Sequence, residues 1–207
     1  MMSLFPKTGT LAADVDRVLA AFGREVTRHH VPRVTQRAEE LALQFGVDVH
    51  AARTAALLHD LGGIFRRDEM VDLCTALELP VVPEERRVPL LLHAKLSVVL
   101  AREWQGVDSP EILQAIRYHT TLHASATALD QVVFLADKLE WDQGGEPPYA
   151  RALCAALEGG LEAGTRWMLG WMALPEARLL IPHPDLREAW RAYGLTDPSA
   201  AAREWSG

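Results

Sequence analysis

Apolar residues recur at i, i+3, i+4 and i+7 across most of this 207-residue chain, and no set of short alternating blocks interrupts them. A chain patterned this way buries its apolar stripes by packing helix on helix, so the expected class is all-α. Helices are predicted over 12–22, 29–45, 49–61, 69–77, 89–104, 110–119, 130–141, 149–172 and 184–193. The breaks have chemical causes. Ser109 can cap a helix with Pro110 in its first position, Gly62 and Gly63 permit a left-handed exit, and Pro80 and Pro83 interrupt a helix crossing them. The strongest loop signal is Gly144-Gly145-Glu146-Pro147-Pro148. It divides a histidine-rich core, 12–143, from a C-terminal helical cap, 144–195, that carries Trp167, Trp171 and Trp190 and is expected to pack on the same domain; 196–207 reads as a frayed tail.

Composition removes several functions. Lys plus Arg is 21 against 28 for Asp plus Glu, and a net charge of −7 repels polyanions, so no general nucleic-acid or anionic-membrane binding is expected. Cys74 and Cys154 lie far apart, outside any metal or disulfide spacing, and are expected to be plain buried residues in a reducing cytoplasm. The first ten residues hold no apolar run of signal-peptide length, and no stretch approaches the ~20 apolar residues that span a bilayer. What stands out is the eight histidines, since imidazole is the commonest metal ligand.

Helical phase sorts them. Residues advance about 100° each, so His30 falls at the edge of the Val34, Ala38, Leu41 and Phe45 stripe, while His29 falls with Arg33, Gln36, Arg37 and Glu40 on the polar side. His59 and Asp60 end a segment, 51–61, that is apolar nearly all round. His93 shares a face with Leu96 and Leu100, and His119 completes a set with Ile112, Ala115 and Ile116. Asp137 sits within Val132-Val133-Phe134-Leu135-Ala136-Asp137-Lys138-Leu139, and a buried carboxylate needs a cation or several donors. Taken singly, a histidine beside an apolar stripe is ordinary core. Six such side chains on five helices point to one shared site, and six N and O ligands without thiolate exceed the four of a structural zinc. Two metals sharing a carboxylate is the inference.

The order His, His-Asp, His, His, Asp on an all-α background resembles the HD-domain metal-dependent phosphohydrolases, and within them the YqeK-type symmetrical diadenosine tetraphosphatases. The segments that carry the resemblance are Arg28-His29-His30, Ala55-Ala56-Leu57-Leu58-His59-Asp60, Leu92-His93-Ala94, Arg117-Tyr118-His119-Thr120 and Ala136-Asp137-Lys138, with Ile181-Pro182-His183-Pro184-Asp185-Leu186 in the cap. The resemblance implies an HD-domain helical bundle in which His30, His59, Asp60 and Asp137 hold one metal, and His93, His119 and a bridging Asp60 hold the second. It implies iron, while the N and O donor set by itself also suits Mn, Co, Ni and Zn. A metal-bridging hydroxide would attack diadenosine tetraphosphate and release two ADP.

Arg117 and Lys138 are further candidates for catalytic work beside Asp60, and Arg66, Arg67, Lys95, Thr120 and His123 for substrate contacts; His29, His50, His123 and His183 are expected on the surface or in loops. Gly63, Leu122 and Gln143 stand where the family usually has Lys, Gly and Arg. Those departures keep two rivals open: a phosphatase of mononucleotides or another phosphoester, and a weakly catalytic metal-bound nucleotide sensor. A nucleotide is the expected partner, and a homodimer is left open.

Overall fold

The structure is a computed structural model that describes residues 6–143 and 145–198, and it is helical with no strand among them. The helices are α1 (Leu11–Ala21), α2 (Glu25–Phe45), α3 (Val49–Leu58), α4 (Met70–Ala76), α5 (Pro83–Arg87), α6 (His93–Leu100), α7 (Pro110–Tyr118), α8 (Ala128–Leu139), α9 (Ala150–Leu157), α10 (Leu161–Met172) and α11 (Pro184–Ala192). Part of the predicted tail, 199–207, and Gly144 lie outside the described residues.

Local chemistry sets the starts. Asp48 accepts from the amides of His50 and Ala51 at the head of α3, Ser109 accepts from Ile112 with Pro110 at the first position of α7, and Thr127 and Asp130 form a reciprocal capping box on α8. Three predicted elements come out differently. The single helix expected over 149–172 is two, because Gly160 takes φ 112°, a conformation that no other residue type adopts at low cost. The element expected over 89–104 is a 3-10 turn at Pro89–Leu92, then α6, then a π-turn at Ala101–Gln105. Pro83 starts α5 instead of only breaking a helix, since a first-turn proline has no donor to lose.

The near-uniformly apolar α3 lies at the centre, against α1, α2, α7 and α8. One contiguous buried cluster runs from Val15 through Leu58 and Phe134 to Met168 and Trp190, so the C-terminal helices share the core of the N-terminal ones. Cys74 is buried beside Met70, Leu92 and Leu96, whereas Cys154 is exposed on the outer face of α9, contrary to the expectation for it. After α3 the chain turns tightly through Leu61–Ile64 against α6. Gly62 is required there: a Cβ on it would lie 2.1 Å from the His93 carbonyl oxygen and 2.7 Å from the Ser97 amide nitrogen. None of the described helices is long and apolar enough to cross a membrane.

Candidate metal centre

The fold brings all six predicted ligands together. His30 comes from the buried face of α2, Asp137 from α8, and the other three histidines from helix ends: His59 follows α3, His93 opens α6 and His119 follows α7. Those end positions matter. Each of the three rings uses Nδ1 to donate to the carbonyl three residues back, His59 to Ala56 at 2.6 Å, His93 to Leu90 at 2.6 Å and His119 to Ile116 at 2.8 Å. A proton fixed on Nδ1 frees Nε2 as an acceptor, and the three Nε2 atoms face the middle of the site.

Asp60 organises the geometry. Its Oδ1 lies 3.1 Å from His93 Nε2 and 3.5 Å from His119 Nε2, while its Oδ2 lies 3.6 Å from His59 Nε2 and 3.8 Å from His30 Nε2. Asp137 Oδ1 completes the second side, 3.1 Å from His30 Nε2 and 3.7 Å from His59 Nε2. His93 and His119 are 3.0 Å apart through Nε2, and His30 and His59 are 3.4 Å apart. Two groups thus meet on one carboxylate: His30, His59 and Asp60, and Asp60, His93 and His119, each able to hold a metal ion.

The electrostatics require positive charge in that space. Burial by itself raises the pKa of Asp60, but the surrounding His59, His119 and His93 rings outweigh it and hold the carboxyl well below the usual range. Asp137 is likewise held well below, its burial outweighed by the Lys138 ammonium and the bond from His30. Burial pushes His59 down to about 4, so it stays neutral; His30 and His93 rise despite burial, because Asp137 and Asp60 favour their protonated forms. Two ionised carboxylates ringed by convergent imidazole nitrogens are a donor set that fits divalent transition-metal ions.

The centre forms the floor of a cleft of about 1010 Å³. Lys138 and Thr120 stand in it, the ammonium 2.6 Å from Asp137 Oδ2 and the hydroxyl 2.9 Å from His119 Nε2. Arg66 and Arg67 lie exposed on its rim. The other expected contacts are elsewhere. Lys95 follows His93 by two residues and Arg117 precedes His119 by two, which on a helix is about 200° away, so both point to the back of the site. There the Lys95 ammonium bonds to Glu85 and the Pro80 carbonyl, and the Arg117 guanidinium meets Asp185. His123 bonds to the buried Asp130 at 3.2 Å and has its ring against Tyr118. His183 is no surface residue: it is 3% exposed and caps α11.

The cleft also contains residues that sequence pattern had passed over. Arg24 reaches the carbonyls of Ile64 and Phe65 at 2.9 and 3.2 Å, and Trp141 and Tyr149 line the cleft beyond α8. Arg24 precedes a helix and Tyr149 follows a loop, so neither belongs to a periodic stripe that would have marked it.

Known proteins match this arrangement. The HD domain family model matches residues 27–142, which include all six predicted ligands. The chain is 38% identical over 138 residues to an uncharacterized protein in the pepC 5' region of Lactococcus lactis subsp. cremoris, covering 67% of this chain and 70% of that one. It is 33% identical over 128 residues to a symmetrical bis(5'-nucleosyl)-tetraphosphatase of Bacillus subtilis (strain 168), covering 60% and 68%. Its fold is shared with the crystal structure of a predicted HD superfamily hydrolase involved in NAD metabolism from Clostridium acetobutylicum, at TM-score 0.77 and 23% identity over 87% of this chain and 95% of that one. With more than half of its length matched by the family model and its ligand order intact in space, the chain belongs to the HD-domain family.

Proposed function

We propose that the protein is a metal-dependent phosphohydrolase that splits diadenosine tetraphosphate symmetrically into two ADP. The observation that carries this reading is Asp60, whose two oxygens face two adjacent ligand groups on the floor of a large cleft, in a chain 33% identical to a symmetrical bis(5'-nucleosyl)-tetraphosphatase. His30, His59, Asp60 and Asp137 would hold one ion and His93, His119 and Asp60 the other, with iron the first candidate and Mn, Co, Ni and Zn the alternatives. Bound there, two such ions supply an activated water near neutral pH and offset the charge that develops on a phosphate.

The chain's own side chains do the rest. Asp60 and Asp137 stay ionised and keep the ligand space anionic. Lys138 and Thr120, beside the ligands, offer an ammonium and a hydroxyl to phosphate oxygens. Arg24, pinned by two carbonyls, and the rim residues Arg66 and Arg67 add guanidinium donors for the outer phosphates. Trp141 and Tyr149 offer aromatic faces to a base, with Tyr149 anchored by its hydroxyl to the Lys138 carbonyl at 2.9 Å. The cytoplasm, where nucleotides accumulate, is the proposed compartment.

A mononucleotide phosphatase is the second reading, favoured by the neutral Gly63 and Gln143 in the cleft wall. Chromatography of the products from metal-loaded protein separates the two. Two ADP per diadenosine tetraphosphate is the expected result, and Asp60→Ala should abolish it together with most bound metal while His29→Ala, whose side chain is 76% exposed, changes neither. AMP plus ATP would contradict a symmetrical cut. Turnover confined to mononucleotides would move the assignment to the second reading, and no turnover of any nucleotide would leave a sensor.

A further inference from the structure

The segment Ile181-Pro182-His183-Pro184-Asp185-Leu186 lies beyond the stretch matched as HD domain and outside the cleft, yet His183 is 3% exposed and Leu186 1%. It closes a line of charges behind the ligands. Lys95 on α6 donates to Glu85 Oε2 at 2.7 Å, and Glu85, fully buried, also takes the Val82 amide at 2.9 Å. Glu85 Oε1 accepts from His183 Nε2 at 3.3 Å, and His183 Nδ1 accepts from the Asp185 amide at 3.2 Å. Asp185 Oδ2 then meets Arg117 on α7 at 3.4 Å.

We propose that His183 and Asp185 are positioning residues, which tie α6 to α7 from behind and set the separation of His93 and His119. The inference rests on the two-metal reading above. α6 and α7 are short, and each carries its ligand at an end, His93 as the first residue and His119 just past the last. Such ends can pivot, while two Nε2 atoms 3.0 Å apart that share Asp60 tolerate little movement. Lys95 and Arg117 hold the opposite sides of those same helices, and the α11 cap links them. Buried ion pairs add little net stability compared with apolar packing, but they fix one geometry, which suits a positioning role. The residues of this line sit on or beside α5, α6, α7 and α11, whereas the other group is carried by α2, the end of α3 and α8. The effect should therefore be confined to the ion held by His93 and His119.

The test is titration of the metal-stripped full chain with Co²⁺, followed by visible absorption and calorimetry, with circular dichroism to establish the fold. The unsubstituted protein should take two equivalents. His183→Asn keeps a side-chain oxygen to cap α11 but is too short to reach Glu85; it should leave one equivalent unchanged and weaken the other about tenfold to a hundredfold, the usual cost of losing an outer support of a ligand. Asp185→Asn, at the other end of the line, should act in the same direction if His183→Asn does not fold. Thr165→Ala, which removes the hydrogen bond from α10 of the same cap to Gln131 on α8, should leave both equivalents unaltered. Equal affinities in His183→Asn and the parent, an equal loss of both ions, or a matching loss in Thr165→Ala would each overturn the inference. Fewer than two equivalents in the parent would instead overturn the two-metal reading, and this inference with it.

Discussion

The Asp137 and Asp60 carboxylates raise the pKa of His30 and His93 despite burial, whereas burial lowers that of His59 to about 4. An incoming metal therefore competes with protons more strongly at His30 and His93 than at His59. The sign follows: with raised pKa values the proton-bound form dominates below them, so lowering the pH through that range strengthens the competitor and weakens metal binding. Mn²⁺ affinity should fall about tenfold per pH unit for each proton displaced. Calorimetry at pH 6 in two buffers of different ionisation enthalpy should detect protons released as the metal binds. Proton-neutral binding at that pH would refute this picture of the site. The histidine facing was legible from helical phase at His30, His93 and His119. The same phase rule, applied two residues on, would also have turned Lys95 and Arg117 away from the cleft.

At the scale of elements, the His59-Asp60 turn depends on how closely Leu61–Ile64 approaches α6. Gly62 donates its amide to Ser97 Oγ at 2.8 Å and has no room for a side chain, while Gly63, in the cleft wall, has nothing within 4 Å of where a Cβ would sit. Gly62→Ala should thus destabilise by about 3 kcal/mol or more, as a backbone clash does, and Gly63→Ala should be neutral or stabilising by up to about 1 kcal/mol. Urea midpoints of the two variants decide it, and similar midpoints would show that the turn can yield. Leu122 illustrates a different compromise. It adopts φ 57°, where a side chain costs roughly 1–2 kcal/mol, yet it is fully buried, which offsets that cost by about 2 kcal/mol. The Gly159-Gly160 break inside 149–172 was present in the sequence, but the apolar period continues across it, and only the φ at Gly160 ends the helix.

For the whole molecule, the buried cluster that unites α1 with α11 makes the C-terminal cap part of the metal centre's support. Trp190 is fully buried and donates its indole N–H to the Leu169 carbonyl at 2.8 Å. Trp190→Ala should cost about 3–5 kcal/mol and lower the melting temperature of the entire chain in one transition. Separate melting of the cap ahead of the core would contradict a shared core. The sequence alone determined the all-α class, most helix positions and the inward facing of the six clustered side chains, because amphipathic period and cap chemistry are local properties that a few neighbouring residues settle. Tertiary structure decided that Asp60 divides its two oxygens between the ligand groups, that Arg24 and Tyr149 reach the cleft, and that His183 is buried behind it. Those depend on where distant helix ends meet in space, and no local period encodes that meeting.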